Sequence, residues 1–157
     1  MKWRSVFREI AAGEALLFLA GLLQGTSLLT IAGVKPNVTL VILLVLAFVT
    51  SNFPIYFFFV LGGIIFIRFS PLFDPSLLAI AAIAFCAFLL KKWLPWHQSI
   101  NSIVFSASGT VIFYLLGDAA FIGREPFTIL GEAAYNTVIA AAAFPAVRWL
   151  LGDNMSS

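Results

Sequence analysis

The chain has 157 residues, 62% of them hydrophobic and 10% charged, against a charged share of about 25% in ordinary soluble domains. A soluble fold of this length buries roughly 70% of the surface its chain exposes, too little to hide so much apolar area. The formal net charge of +2 and the lack of a basic stripe interleaved with aromatics exclude a nucleic-acid binder. The composition therefore points to a single transmembrane domain, residues 1–157, whose solvent is the lipid bilayer.

In chain order, the first apolar segment covers about 9–31. It follows the basic start Lys2, Trp3, Arg4 and Arg8, and it carries Glu14 and Gln24. It reads as a retained span rather than a cleaved leader, because Glu14 interrupts the approach and Thr30-Ile31-Ala32 is a weak cleavage pattern. The second segment opens on Lys35-Pro36-Asn37 and runs over 36–51, and the third covers 54–69. At about sixteen residues each they reach about 24 Å, short of a hydrocarbon core of about 30 Å. Either the bilayer thins there or longer neighbours shelter these helices. A single broken helix over 36–69 would reduce the count to five spans. The Ser51-Asn52-Phe53-Pro54 break favours a tight hairpin instead, since Pro54 disfavours helical geometry at Phe53.

The fourth segment, 75–92, opens on Asp74-Pro75-Ser76, and the fifth and sixth cover 96–117 and 126–151. Pro36, Pro54, Pro75, Pro95 and Pro126 each stand where an apolar run begins, as suits a residue whose missing amide hydrogen is not needed in the first helical turn. Pro145 lies inside the sixth segment and predicts a kink. The fold class expected is a compact all-α bundle of six transmembrane helices.

Lys2, Arg4, Arg8, Lys91, Lys92 and Arg148 alternate along this span order with Lys35, Arg68 and Arg124. The basic excess assigns the first group, and both termini, to the cytoplasmic side. Trp3, Trp93, Trp96 and Trp149 neighbour the same basic residues, where amphipathic rings anchor at headgroups. Asp74, Asp118 and Glu125 fall outside. The longest outer connection, around Gly117 to Glu125, is too short for an extramembrane domain.

Few polar residues interrupt the spans. Ser99, Ser102, Ser106 and Gly109 recur on one face of the fifth, either for close helix packing or as the wall of a groove. Ala79, Ala82 and Cys86 offer a matching smooth surface on the fourth, and Gly62-Gly63 permits close approach in the third. Glu132 and Asn136, four apart, share a face of the sixth. They serve an internal or interfacial hydrogen bond, or contact a partner or ligand. Asn37 either caps the second helix or marks such a contact. Cys86 stands alone and reads as a small buried residue, and His97, also alone, leaves no His/Cys cluster for a metal. No phosphate-binding glycine loop, HExxH or Ser/His/Asp set is present. The expectation is a non-enzyme without cofactor or metal.

Three stretches resemble the rod shape-determining MreD family of small bacterial inner-membrane proteins. These are Lys35-Pro36-Asn37 with "VTLVILLVLAF", "FVLGGIIFIRFSPLF" leading into "SLLAIAAIAFCAFLLKK", and Tyr135-Asn136 with "TVIAAAAFPAVRWLL". The resemblance implies a scaffold of the cell-wall elongation machinery. Its partners would be an MreC-like protein and a SEDS-type glycosyltransferase with its transpeptidase, met through helix faces that include Ser99, Ser102, Ser106 and the sixth helix. The rival is the substrate-binding membrane subunit of an energy-coupling-factor vitamin transporter, whose spans are similarly arranged. In that case Glu132, Asn136, Arg124 and Tyr114 would line an outward-facing pocket.

Overall fold

A computed structural model describes residues 3–67 and 74–152. Lys2 and Arg68, assigned above to opposite membrane faces, lie outside them. The described residues form helices α1 (Trp3–Gly25), α2 (Val38–Val49), α3 (Phe53–Ile67), α4 (Pro75–Leu90), α5 (Gln98–Gly117), α6 (Ala119–Arg124) and α7 (Pro126–Gly152). A single 3-10 turn, Lys91–Trp93, follows α4.

The helix starts follow their capping chemistry. Asn37 caps α2, its side chain accepting the Leu40 N–H, and Asp74 caps α4 by accepting the Ser76 N–H with Pro75 in the first turn. His97 caps α5 and Asp118 caps α6 in the same way. Pro54, Pro75 and Pro126 stand in first helical turns as expected, whereas Pro36 and Pro95 lie ahead of the caps Asn37 and His97. A side-chain acceptor for the first-turn amides, the Asn37 oxygen or the His97 Nδ1, specifies the start more sharply than a proline does. Thr50 leaves α2 with extended backbone, so α2 and α3 are separate helices and the single broken helix is excluded.

The largest correction concerns the first segment, where the helix spans 3–25 rather than 9–31. Thr26 ends it by turning both its N–H and its hydroxyl back to the Leu23 carbonyl. Leu28 and Ile31, which extended the apolar reading, are exposed in the following loop. That loop closes as a tight turn in which Ile31 and Val34 exchange two backbone hydrogen bonds of 3.0 and 2.9 Å. Ala32 and Gly33 hold its centre at φ 51 and 82, the left-handed pair that a type I′ turn requires. The connection expected between 117 and 125 contains α6, and α7 continues through Pro145 as one element.

Helix α2 is the axis of the bundle. Its twelve residues, VTLVILLVLAFV, are all buried, as a helix apolar on every side must be. It packs against α1, α3, α4, α5 and α7. At about 18 Å it is too short to cross a bilayer, and its neighbours enclose it, so shelter is the reading that holds for α2. Helix α3 is enclosed on one side only and exposes Phe57, Phe58, Leu61 and Ile65.

Glycines let α1 and α3 meet closely. A Cβ on Gly13 would fall inside the Phe59 ring, one on Gly62 would overlap the Glu14 carboxylate, and one on Gly21 would press on the Phe66 carbonyl. On the other side of α3, Tyr56 is fully buried and its hydroxyl reaches Ala84 O at 3.0 Å and Leu43 O at 3.2 Å. One proton is shared between two helix carbonyls, tying α3 to α2 and α4. The Tyr56 ring stacks on Phe88 with centroids 4.7 Å apart.

Helix α4 corrects two further expectations. Its inner face is Leu77, Ala79, Ile80, Ile83, Ala84, Ala87 and Phe88, so that of the expected smooth surface Ala79 turns inward whereas Ala82 and Cys86 are exposed. Cys86 is not a buried core residue. In a helix with almost no polar side chains, nothing in the pattern marks which face turns inward.

Candidate functional site

The polar residues singled out in the sequence gather at the two ends of α2 and along α5. At the N-terminal end, the Asn37 N–H donates to Asn136 Oδ1 at 3.0 Å, and the Val38 N–H donates to Gln24 Oε1 at 2.8 Å. The Leu40 N–H donates to Asn37 Oδ1 at 3.1 Å. Helices α1 and α7 and the cap residue Asn37 thus supply acceptors for amides that have no partner within α2 itself. An unpaired amide in hydrocarbon costs several kcal/mol, about the figure for transfer without a hydrogen bond.

Asn136 continues inward. Its Nδ2 donates to Thr110 Oγ1 at 2.8 Å, and the Thr110 hydroxyl donates to the Ser106 carbonyl at 2.8 Å. Ser106 and Ser102 donate to the Ser102 and Ser99 carbonyls, also at 2.8 Å. This turns the serine stripe into a nearly apolar surface. The hydroxyls of Ser102, Ser106 and Thr110 are each bonded back to their own helix, so this part of the face presents small volume without an unpaired donor. Gly109 in the same stripe lies against Ile83 and Leu44, 3.2 and 3.3 Å from where a Cβ would stand.

Glu132 lies one turn before Asn136 and is buried. The Tyr114 hydroxyl donates to its Oε2 at 2.5 Å, in the range of short, strong O–H···O contacts. The Tyr114 ring stacks on Phe121 of α6 with centroids 5.2 Å apart. Gly131 lets Val34 of the tight turn close over the same stretch of α7, 3.2 Å from a would-be Cβ. Arg124 is elsewhere, paired with Asp118 at 3.1 Å on the surface.

The other end of α2 is closed by one cation. The Lys91 ammonium donates to Ala47 O at 2.8 Å and to Thr50 O, and it stands 3.7 Å above the centroid of the Phe88 ring. A lysine here complements the negative end of the helix dipole and bonds the last carbonyls.

Asn37, Asn136, Ser106, Ser102 and Ser99 are therefore joined, through Thr110, in one run of contacts, with Glu132 and Tyr114 beside it. Five of the six expected contact residues, Asn37, Ser102, Ser106, Glu132 and Asn136, are buried, and Ser99 is half-buried. They face neighbouring helices of their own chain, not an open surface for a partner. The physical reason is that a polar group in an apolar bundle must find its partner inside. Thr110 and the roles of Gln24 and Lys91 escaped the sequence reading. Thr110 was within reach of it, four residues beyond Ser106 on the same face. Among the described residues no group of three His, Cys, Asp or Glu is placed to hold a metal.

Helices Pro75–Trp93, Gln98–Gly117 and Pro126–Leu151 are long and apolar enough to cross a membrane, with mean hydropathy 1.8, 1.6 and 1.3. The fold of the described residues is helical, and three of its helices are of the kind that cross a membrane, which is the class of a helical membrane protein. No family model, no curated protein and no solved structure matches the chain.

Proposed function

We propose that this protein is a non-enzymatic scaffold of the bacterial cell-wall elongation machinery, as its resemblance to MreD implies. In this reading α1, α2, α3, α4, α5 and α7 are six membrane-inserted segments of the inner membrane, with both termini cytoplasmic. An MreC-like protein and a SEDS-type glycosyltransferase with its transpeptidase are the partners, and no cofactor takes part.

The observation that carries the proposal is the commitment of Asn136 to Asn37 and Thr110. A vitamin-binding subunit would turn Asn136, Glu132 and Tyr114 toward a ligand, but here they are engaged with one another and with the α2 terminus. What remains for contact outside the bundle is apolar helix surface, such as Ile112 and Leu115 on α5 and Leu130 and Val138 on α7, all exposed. Partner recognition is then helix packing in lipid, driven by the shape and van der Waals contact of that surface.

The test is to purify the protein from cells in mild detergent and identify what accompanies it. An MreC-like protein at stoichiometric amounts supports the scaffold. A stoichiometric vitamin or a transporter ATPase overturns it. The topology is tested separately: a reporter fused after Ser157 should read as cytoplasmic, and an external reading removes the arrangement of six membrane-inserted segments.

A further inference from the structure

The α1–α3 interface opens at the end of the bundle where both helices begin. A cavity of about 390 Å³ lies there, walled by Trp3, Val6 and Ile10 of α1 and by Pro54, Ile55 and Phe58 of α3. Its volume falls within the usual range for a small-molecule site. Asn52, in the turn between α2 and α3, stands at its rim. The walls are almost wholly apolar, and the polar groups are confined to the end where the helices start.

We propose that this groove is a binding site for one anionic phospholipid, with an acyl chain between α1 and α3 and the headgroup at their N-terminal ends. Three observations fix the occupant. The first is length: Trp3 to Ile10 spans about 10 Å of helix, which suits the upper part of an acyl chain but not a partner helix crossing about 30 Å of hydrocarbon. The second is charge. Lys2, Arg4 and Arg8 fall within the first eight residues, around the stretch that supplies Trp3 and Val6 to the groove. Two helix N-termini, with their partial positive charge, begin at the same end. The third is Trp3 itself, 77% exposed at the mouth of the groove, a side chain suited to the headgroup level. An apolar slot lined at one end by a tryptophan and an asparagine, in a stretch of basic sequence, has the polarity profile of a single lipid.

Trp3 also supplies the readout. In a chain carrying Trp93→Phe, Trp96→Phe and Trp149→Phe, Trp3 is the sole fluorescent indole. This chain is placed in phosphatidylcholine nanodiscs containing a small, equal fraction of acyl-brominated phosphatidylglycerol or acyl-brominated phosphatidylcholine. The expected result is quenching by the anionic lipid as if it were enriched about fivefold, the factor that one basic residue near an anionic headgroup contributes. Val6→Phe, which fills the groove, should return the two lipids to parity. Equal quenching in the unfilled chain means ordinary boundary lipid and overturns the site. Weak quenching by both means that a protein segment or a second copy covers the groove, and it overturns the site equally. Native mass spectrometry of the unmodified chain keeps the test independent of the substitutions: retained phosphatidylglycerol in preference to phosphatidylcholine supports the site, and no preference refutes it.

Discussion

Asn136 Oδ1 accepts the backbone N–H of Asn37 at 3.0 Å, joining positions 99 residues apart. The contact completes the cap of a helix buried on every side, and the same amide's Nδ2 passes on to Thr110. Asn136→Ala should therefore cost about 1–2 kcal/mol, the scale of an interhelical polar contact in a membrane bundle. Thr110→Val should cost less, because the Asn37 amide keeps its acceptor. The double variant should lose less than the sum, as contacting residues in one network do. Reversible unfolding in mixed micelles measures all three.

At the opposite end of α2, Lys91 bonds the Ala47 and Thr50 carbonyls. Lys91→Met should lower stability by about 1.5–3 kcal/mol, the usual range for a hydrogen bond to a charged group. Lys92, the exposed neighbour, is the control: Lys92→Met should stay within about 0.5 kcal/mol. Equal effects of the two in thermal melts in detergent would remove the cap from the account.

The glycines of the α1–α3 contact differ in what faces them. Gly13→Ala meets the ring of Phe59, which is fully buried and has nowhere to go, so it should cost about 1–3 kcal/mol through overpacking. Gly62→Ala meets only the end of the Glu14 side chain, which can swing aside, and should cost less. Gly123→Ala in α6 meets nothing and should be neutral or stabilising by up to about 1 kcal/mol. The order of the three melting temperatures is the result to check.

Thr39 is fully buried, and its Oγ1 has no hydrogen-bond partner. Thr39→Val keeps the shape and removes the idle hydroxyl, so it should raise stability by about 1 kcal/mol, the lower end of the cost of an unmet buried polar group. A loss on the same substitution would show that the hydroxyl holds a water.

Cys86 faces outward on α4. In a bilayer it should be labelled by a lipid-soluble maleimide and spared by a charged, membrane-impermeant one, and in detergent the lipid-soluble reagent should react fully. Labelling by the charged reagent in intact vesicles would place this face of α4 in water.

Helix positions were legible wherever local chemistry announces them. Asp74-Pro75 and the Pro126 start carry their own first turns, and Asn37 contains the acceptor that caps α2. The first segment was misplaced for a local reason too: Leu28 and Ile31 are apolar, and nothing nearby says that their loop leaves the helix exposed. Facing was much less legible. Ala82 and Cys86 were paired with the serine stripe by size, yet they point outward, because α4 is apolar on all sides and lipid accepts any of them.

By itself the sequence determined that the chain is helical and apolar enough for membrane-crossing helices, and that VTLVILLVLAFV is too short to cross a bilayer unaided. Period, caps and composition act within a few residues and need no fold to be read. Only the tertiary structure decided that Asn136 and Gln24 close one end of that helix and Lys91 the other, since those partners are set by how the bundle assembles. The same holds for the candidate contacts on α5 and α7. Their residue types showed that they needed partners, and packing placed those partners inside the chain.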